Sequence, residues 1–573
     1  MKKILIFDNL SIVKSIKNKI KEIKNADIVC LHYSIQNYLN QFNINSKHLF
    51  ELYDPNTLEE INKSSEIKLN IVLNNLDSKS ESLKEILGLE KTQFFYNLFK
   101  SRYYYIYPTY LLLSKYFDEK LKSNNEIIFY FDENLSNQVK LPIINIFREK
   151  YKNKNIKFIK VKSERNFNKI YSVMWFKNFI NYFFTKFKIF NIKLGFKKEF
   201  MRKKSILILN YDFDLLQYLK NTKYKKIFYS KNLFLRKRKN QDLKKLTDII
   251  SKIFNENENF VNINPDDKFL IQIIFYQLKK NLSIYFDFCS NLKICNSYDH
   301  VIWRYPVIAD DLKSLLLLYC LKKNINVIGF QHGAHYIENN LSDLHFDQDF
   351  NKCNFWISYR LTENDYFKTY GKKEKKCKII SSSEKFNPPS IIKRSLKRCD
   401  NILYPIRPIE HATHFFSESN ICYQNQKKII EYLDKQKKKY YIKLISNFSN
   451  INCWNLCTQN KVKYANFIKG ISLRNYYKYF NHNLIILDSF ETSLYETIDF
   501  NPSSEIYLLN NYDYIDEAFL NSLSKNVKVF RNIDSFLKGI NDFNFSGNSS
   551  NSFQENSKVF SFPNYKNLEK VLN

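Results

Sequence analysis

The sequence contains little glycine and proline, with only 8 Gly and 11 Pro among 573 residues. This scarcity argues against glycine-rich phosphate loops, collagen-like repeats and flexible linkers, because each of these needs glycine or proline at closely spaced positions. We therefore expect the loops to be built mostly from Asn, Asp, Ser and Lys.

The ten cysteines are few for this length and show no metal-binding spacing. The closest pairs, Cys453 with Cys457 and Cys289 with Cys295, lack the CxxC arrangement of zinc and redox sites. We expect reduced, mostly buried thiols in a cytoplasmic protein and no bound metal.

Long apolar runs are also missing, which predicts that no helix spans a membrane. Residues 1–10 carry the charge of a signal peptide but too few apolar residues before Asp8, so we interpret them as a first buried strand. Within the segment Val173–Phe196, four lysines interrupt an aromatic run. This pattern predicts a helix on an anionic membrane surface, with a core helix as the alternative.

Positive charge is in excess, since 90 Lys and Arg face 57 Asp and Glu for a formal charge of +33. Such charge favours nucleic acid, anionic lipid or acidic substrates when it is concentrated. Here it is spread along the chain together with abundant Asn, Ile, Phe and Tyr, which is typical of an AT-rich genome. A nucleic-acid-binding protein stays an alternative, although no known binding motif supports it.

Short apolar segments that are typical of buried strands occur in three separate groups along the chain. Helical stretches lie between these segments, such as Ser80–Leu87, Tyr110–Leu121 and Asp310–Lys322. Strands that alternate with helices predict an α/β fold with parallel sheets. We expect two facing Rossmann-like domains plus an additional N-terminal α/β unit. The predicted boundaries are 1–170 for the N-terminal unit, 171–200 for the basic aromatic connection, 201–392 and 398–541 for the two domains, and 542–573 for a low-complexity tail with a short terminal segment.

The first candidate site lies where two of the eight glycines, Gly329 and Gly333, bracket Gln331 and His332. A strand that ends here places this polar pair at the carboxyl edge of a parallel sheet, where open α/β folds bind ligands. His332 is a candidate general base, and a hydrogen-bonded turn histidine is the alternative. Metal binding is a weaker alternative for the nearby and later histidines, which are His335, His345, His411 and His414.

The second candidate site follows the apolar run that ends at Asp488. Three hydroxyl residues, Ser489, Thr492 and Ser493, stand where a helix begins, and backbone N–H groups at such a position bind phosphate. Glu496 follows and could accept a hydrogen bond from a ribose or sugar hydroxyl. A plain helix cap explains only one of these hydroxyls.

The order of several segments resembles the bacterial surface-carbohydrate transferases that build capsule and lipopolysaccharide, and more distantly the GT-B enzymes of capsule and teichoic-acid synthesis. The resemblance covers Ile325–Asn510, about a third of the chain. It is carried by QHGAHY, FWISYRLTENDYFKTYG, ILYPIRP, IKLISNFSNINCW and LDSFETSLYETIDFNP, in that order. One departure is that Ile445-Ser446 stands where sialyl and Kdo transferases of capsule type usually carry a His-Pro pair, so the donor nucleotide stays open.

This resemblance implies a GT-B-like enzyme that moves a sugar from a nucleotide-activated donor onto a capsule or lipopolysaccharide acceptor, inverting and without a metal or cofactor. A polyol-phosphate transferase of teichoic-acid type is the closest alternative. A metal-dependent GT-A enzyme is a further alternative, because Asp212-Phe213-Asp214 and Asp347-Gln348-Asp349 have DxD spacing. The implied location is the cytoplasm, on the inner face of the membrane. The implied site residues are His332 and Gln331 for catalysis, Arg407, Lys443, Ser489, Thr492, Ser493 and Glu496 for the donor, and Gly333, His335, Arg304 and Asp310 on the acceptor side.

Overall fold

A computed structural model gives the fold. It describes residues 2–8, 10–16, 25–40, 42–104, 106–132, 144, 147–161, 204–210, 215, 219, 222–235, 247–253, 265–304, 310–331, 350–358, 377–380, 397–406, 416–444, 462–468, 471–477, 479–488, 492–501, 504–511, 527–543 and 568–572.

The first sheet is built from the N-terminal part of the chain and is entirely parallel, in the order β3-β2-β1-β4-β5. Its strands are β1 Lys3–Phe7, β2 Asp27–Cys30, β3 Lys47–His48, β4 Glu126–Asp132 and β5 Ile156–Val161. The helices of this unit are α1 Leu10–Ser15, α2 Tyr33–Asn40, α3 Pro55–Lys79, α4 Glu81–Ile86, α5 Phe94–Tyr104 and α6 Ile106–Lys122, with a 3₁₀ turn at Leu49–Leu52.

The second sheet is also parallel, in the order β11-β10-β9-β8-β6-β7. Its strands are β6 Ser205–Ile208, β7 Lys225–Phe228, β8 His300–Trp303, β9 Asn326–Phe330, β10 Phe355–Ile357 and β11 Lys378–Ile380. Its helices are α7 Lys231–Phe234, α8 Pro265–Ser290 and α9 Asp311–Lys322, with 3₁₀ turns at Leu292–Ser297 and Phe350–Lys352.

The third sheet is parallel in the order β14-β13-β12-β15-β16-β17. Its strands are β12 Lys397–Pro405, β13 Tyr440–Lys443, β14 Ala465–Ile468, β15 Phe480–Leu487, β16 Glu505–Leu509 and β17 Val527–Phe530. The helices are α10 Phe416–Lys435, α11 Leu473–Tyr476, α12 Thr492–Phe500 and α13 Ile533–Asp542, and a last helix, α14 Glu569–Leu572, follows near the chain end.

These three sheets confirm the predicted α/β class with parallel sheets and an additional N-terminal unit. Many of the strands form around buried apolar runs, as in β15, where Leu484–Leu487 is buried at every position. The three predicted helices coincide with α4, α6 and α9. Helix α9 buries more than one face, since Leu315–Cys320 is buried at every position.

The first and second units share one continuous hydrophobic core. Tyr110 on α6 stacks on Phe269 of α8 with ring centroids 3.2 Å apart. The buried hydroxyl of Tyr103 donates to the amide oxygen of Gln277 at 2.7 Å. Because apolar and polar contacts both cross this boundary, the N-terminal helices form part of the support of the second sheet.

The first unit also contacts the third. Tyr33 on α2 stacks on Tyr423 of α10, with ring centroids 4.3 Å apart. The side-chain amide of Gln424 donates to the Glu51 carboxylate at 3.2 Å. The N-terminal unit therefore lies against elements of both other sheets.

Several sequence-based predictions concern the ends and connections of these units. Seven of the cysteines in the described ranges are buried and free, as expected. Within the described part of the chain, no helix has the length and apolarity to cross a membrane. The segment Val173–Phe196 lies outside the described residues. The short terminal segment returns to the second sheet, where Leu568 and Leu572 pack in its core.

Candidate functional site

The third sheet has a topological switch point between β12 and β15. From β12 the chain builds β13 and β14 on one side, and it then crosses over to build β15, β16 and β17 on the other. In open parallel sheets, the connections that leave the carboxyl ends of two such strands diverge and open a crevice, which is where ligands bind. This edge is therefore the candidate binding site.

Lys443 is the last residue of β13, at the same edge and next to β12. Its side chain is buried at 5% exposure, and its ammonium donates to the carbonyl of Leu444. Burial lowers the pKa of this lysine to about 8, and the negative charge of Glu496 opposes the shift. Among the described residues Lys443 forms no ion pair, and the carbonyl of Leu444 is the one hydrogen-bond acceptor of its three N–H groups.

The buried carboxylate of Asp488, which directly follows β15, joins three elements at this edge. It accepts hydrogen bonds from the hydroxyl of Tyr404 on β12 at 2.9 Å and from the amide of Gln426 on α10 at 2.7 Å. The thiol of Cys422 lies 3.9 Å from the same oxygen. Asp488 therefore fixes the end of β15 against β12 and α10.

Helix α12 begins just beyond this point and carries three of the predicted donor-binding residues. Thr492 is its first residue, and Ser493 and Glu496 are half-buried within its first two turns. The carbonyl of Ser493 accepts a bond from the hydroxyl of Thr497 at 2.6 Å, and Thr497 is paired with the buried hydroxyl of Tyr477 at 2.8 Å. These contacts hold the helix start in place beside the sheet edge.

On the second sheet, Gln331 and Arg304 follow the neighbouring strands β9 and β8 at the carboxyl edge. Gln331 is buried, and its backbone N–H donates to the carbonyl of Ile357 at 2.9 Å. Arg304 is half-buried next to the switch point between β6 and β8. The topology thus brings these two predicted residues to one sheet edge.

Asp310, in contrast, has a structural task. It caps α9, where its carboxylate accepts from the backbone N–H of Lys313 at 3.3 Å and lies 3.5 Å from the ammonium of the same residue. An aspartate at a helix N-cap needs no ligand to explain it.

The remaining predicted site residues lie outside the described residues, and so does the side chain of Thr492. They are His332, Gly333, His335, Arg407 and Ser489. Of the predicted donor-binding residues, the structure brings together Lys443 and Glu496, which interact electrostatically. Within the described ranges, no cluster of three or more His, Cys, Asp or Glu side chains could hold a metal ion.

Sequence reasoning missed Asp488 as a member of the site. The available signal was an acidic residue directly after a fully apolar strand, at the position where ligand-binding groups occur in parallel sheets. The neighbouring hydroxyl residues drew the interpretation toward phosphate binding instead.

Comparison with known proteins identifies no family, since no family model and no curated protein matches the chain. Among solved structures, the chain is similar to UDP-GlcNAc 2-epimerase from Neisseria meningitidis bound to UDP-GlcNAc, with 11% identity and a TM-score of 0.29 over 73% of this chain and 90% of that one. It is also similar to a GtfA/B complex, with 15% identity and a TM-score of 0.25 over 49% of this chain and 56% of that one. Similarity at these TM-scores is no evidence of a shared activity, and the fold class rests on the strand orders themselves.

Proposed function

We propose that the chain is a GT-B-like glycosyltransferase whose nucleotide-sugar donor binds at the carboxyl edge of the third sheet. The observation that carries this proposal is Lys443, a buried lysine beside the switch point whose ammonium, among the described residues, donates to the carbonyl of Leu444 alone. A buried cation with unused donors is costly unless an anion neutralises it. A nucleotide phosphate supplies that charge at the position where parallel sheets bind ligands.

The chemistry proposed is direct displacement at the anomeric carbon of the donor sugar. The acceptor hydroxyl attacks this carbon, its proton passes to His332, and the bond from carbon to the phosphate oxygen breaks. Negative charge then develops on the departing nucleotide phosphate. Lys443 and Arg407 are the proposed cations that stabilise it, assisted by hydroxyl and N–H groups at the start of α12.

We assign the acceptor to the second sheet, with Gln331 and His332 after β9 and Arg304 after β8. In this proposal residues 201–392 and 398–541 form the two facing domains, residues 1–170 form the N-terminal unit, and the acceptor is a capsule or lipopolysaccharide glycan. The basic aromatic segment 171–200 supports a location at the inner face of the cytoplasmic membrane. A teichoic-acid-type transfer of polyol phosphate would use the same cations with a different donor.

The test is a thermal-shift screen against CMP-, CDP-, UDP- and GDP-linked sugars, in which a bound donor raises the melting temperature. We expect one nucleotide class to stabilise the wild type and to fail to stabilise Lys443→Met. Lys439→Met is the matched control, because Lys439 is exposed just before the other end of the same strand. Absence of stabilisation by every donor, or equal stabilisation of both variants, would contradict the proposal.

A further inference from the structure

Two consecutive asparagines after β16 carry buried side-chain atoms that have no hydrogen-bond partner among the described residues. Asn510 is 1% exposed, and the described residues offer no partner to either its amide nitrogen or its amide oxygen. The amide oxygen of Asn511 is likewise buried without a partner. The backbone at this position is well held, because the N–H of Asn510 donates to the carbonyl of Phe530 at 2.8 Å.

An unpartnered buried amide is unusual, because folded proteins satisfy nearly all buried polar side-chain groups. A buried side chain whose donor and acceptor both lack hydrogen bonds costs more stability than an apolar residue of similar size at the same position. Asn510 also stands at the carboxyl edge, since it follows the end of β16. A ligand that binds at this edge would therefore supply the missing hydrogen-bond partners of Asn510.

The distance between Lys443 and Asn510 indicates which part of a ligand Asn510 would contact. In the sheet order, β12 and β15 lie between β13 and β16, so three strand intervals separate Lys443 from Asn510. At about 4.8 Å for each interval the two residues lie about 14 Å apart across the edge. This is comparable with the span from base to terminal phosphate in an extended nucleoside diphosphate.

We infer that Asn510, assisted by Asn511, binds the nucleobase of a nucleoside diphosphate whose phosphates lie at Lys443. The inference rests on the proposed function and names the recognition residue for its donor. Nucleobases present a hydrogen-bond donor and an acceptor side by side on one edge, and the amide of asparagine pairs with such an edge through two bonds. The amide nitrogen would donate to the base, and the amide oxygen would accept from it.

The test compares UDP, CDP and GDP with inorganic pyrophosphate in calorimetric titrations of the full chain. For the nucleoside diphosphate that binds the wild type most tightly, we expect Asn510→Leu to weaken affinity about 10- to 100-fold. Its affinity for pyrophosphate should stay unchanged, because pyrophosphate has no base. The melting temperature of the ligand-free variant should not fall, because leucine removes an unsatisfied polar group.

Asn501→Leu is the matched control, because Asn501 is equally buried and neither of its amide atoms has a partner in the described part of the chain, but it stands before β16 at the opposite edge. It should leave both affinities unchanged. Asn510→Asp serves as a second variant of nearly identical shape that loses the amide donor and should also weaken nucleotide binding. Equal nucleotide affinity of wild type and Asn510→Leu, or an equal loss of affinity in both leucine variants, would overturn this inference and leave the proposed function standing. Failure of the wild type to bind any of these probes would overturn the proposed function as well.

Discussion

Replacing Lys443 with methionine should stabilise the ligand-free protein at neutral pH. Burial lowers the pKa of Lys443 from 10.5 to about 8, so holding its charge in the folded state costs stability. A difference of about 2.5 pKa units corresponds to about 3 kcal/mol, which is the upper limit of the expected gain. Methionine removes the charge and fills a similar volume.

The stability difference between wild type and Lys443→Met should depend on pH in a defined direction. Between about pH 8 and 10.5 the folded protein binds fewer protons at Lys443 than the unfolded chain does, so wild-type stability rises with pH relative to the variant. The gain in unfolding free energy of Lys443→Met over wild type should therefore be largest below pH 8 and should disappear as the pH approaches 10.5. The difference between the unfolding free energies of wild type and variant does not contain the titration of the tyrosines, because both proteins share it.

The assay is urea unfolding of both proteins at pH 7, 8.5 and 10, followed by circular dichroism. Competitive labelling of lysines with acetic anhydride, quantified by peptide mass spectrometry, reports the pKa of Lys443 directly. Lys439→Met should leave the unfolding midpoint nearly unchanged, because Lys439 is exposed. A similar destabilisation of Lys443→Met at all three pH values would show that the buried charge of Lys443 does not cost stability.

Three further variants test other parts of the account. His332→Asn should lower turnover by on the order of 10²–10⁴-fold with donor affinity unchanged in calorimetry, and full turnover at saturating substrates would remove His332 from the mechanism. Gly329→Ala should destabilise the protein by about 1–3 kcal/mol in thermal unfolding, because an added Cβ would lie 2.6 Å from the buried ring of Trp356; an unchanged melting temperature would show that the ring can shift. Asp77→Ala on α3 should lower the free energy of unfolding by about 2–4 kcal/mol, because the Asp77 carboxylate accepts two backbone N–H groups at the start of α5, at 2.8 and 2.9 Å. Glu59→Ala on the exposed face of α3 should cost little, and equal losses would contradict this explanation.

Most central strands were predictable from the sequence, whereas most edge strands, with the exception of β7, were not. β1 and β15 show continuous apolar runs because both faces of a parallel sheet are covered. β5 and β17 lie at sheet edges and mix apolar residues with lysine, so their sequences do not differ from those of solvated segments. Parallel pairing adds no local turn signal that would reveal them.

The glycine pair around Gln331 illustrates how far sequence reasoning reached at the site. The density of glycine pointed to a special position, but the reason for Gly329 is the ring of Trp356, 27 residues away in the chain. The burial of Lys443 and of Asn510 likewise depends on elements that only the tertiary fold brings together. Residue type and strand position were therefore visible in the sequence, while burial and hydrogen-bond satisfaction were not.

Donor binding beside Lys443 is tested most directly by the dissociation constant of the best-stabilising nucleotide sugar, measured by calorimetry at pH 7 for wild type, Lys443→Met and Lys439→Met. Loss of a charge-assisted contact in a buried site predicts at least about tenfold weaker binding for Lys443→Met and an unchanged constant for Lys439→Met. Equal affinity of all three proteins would show that the carboxyl edge of the third sheet beside Lys443 does not hold the donor phosphates.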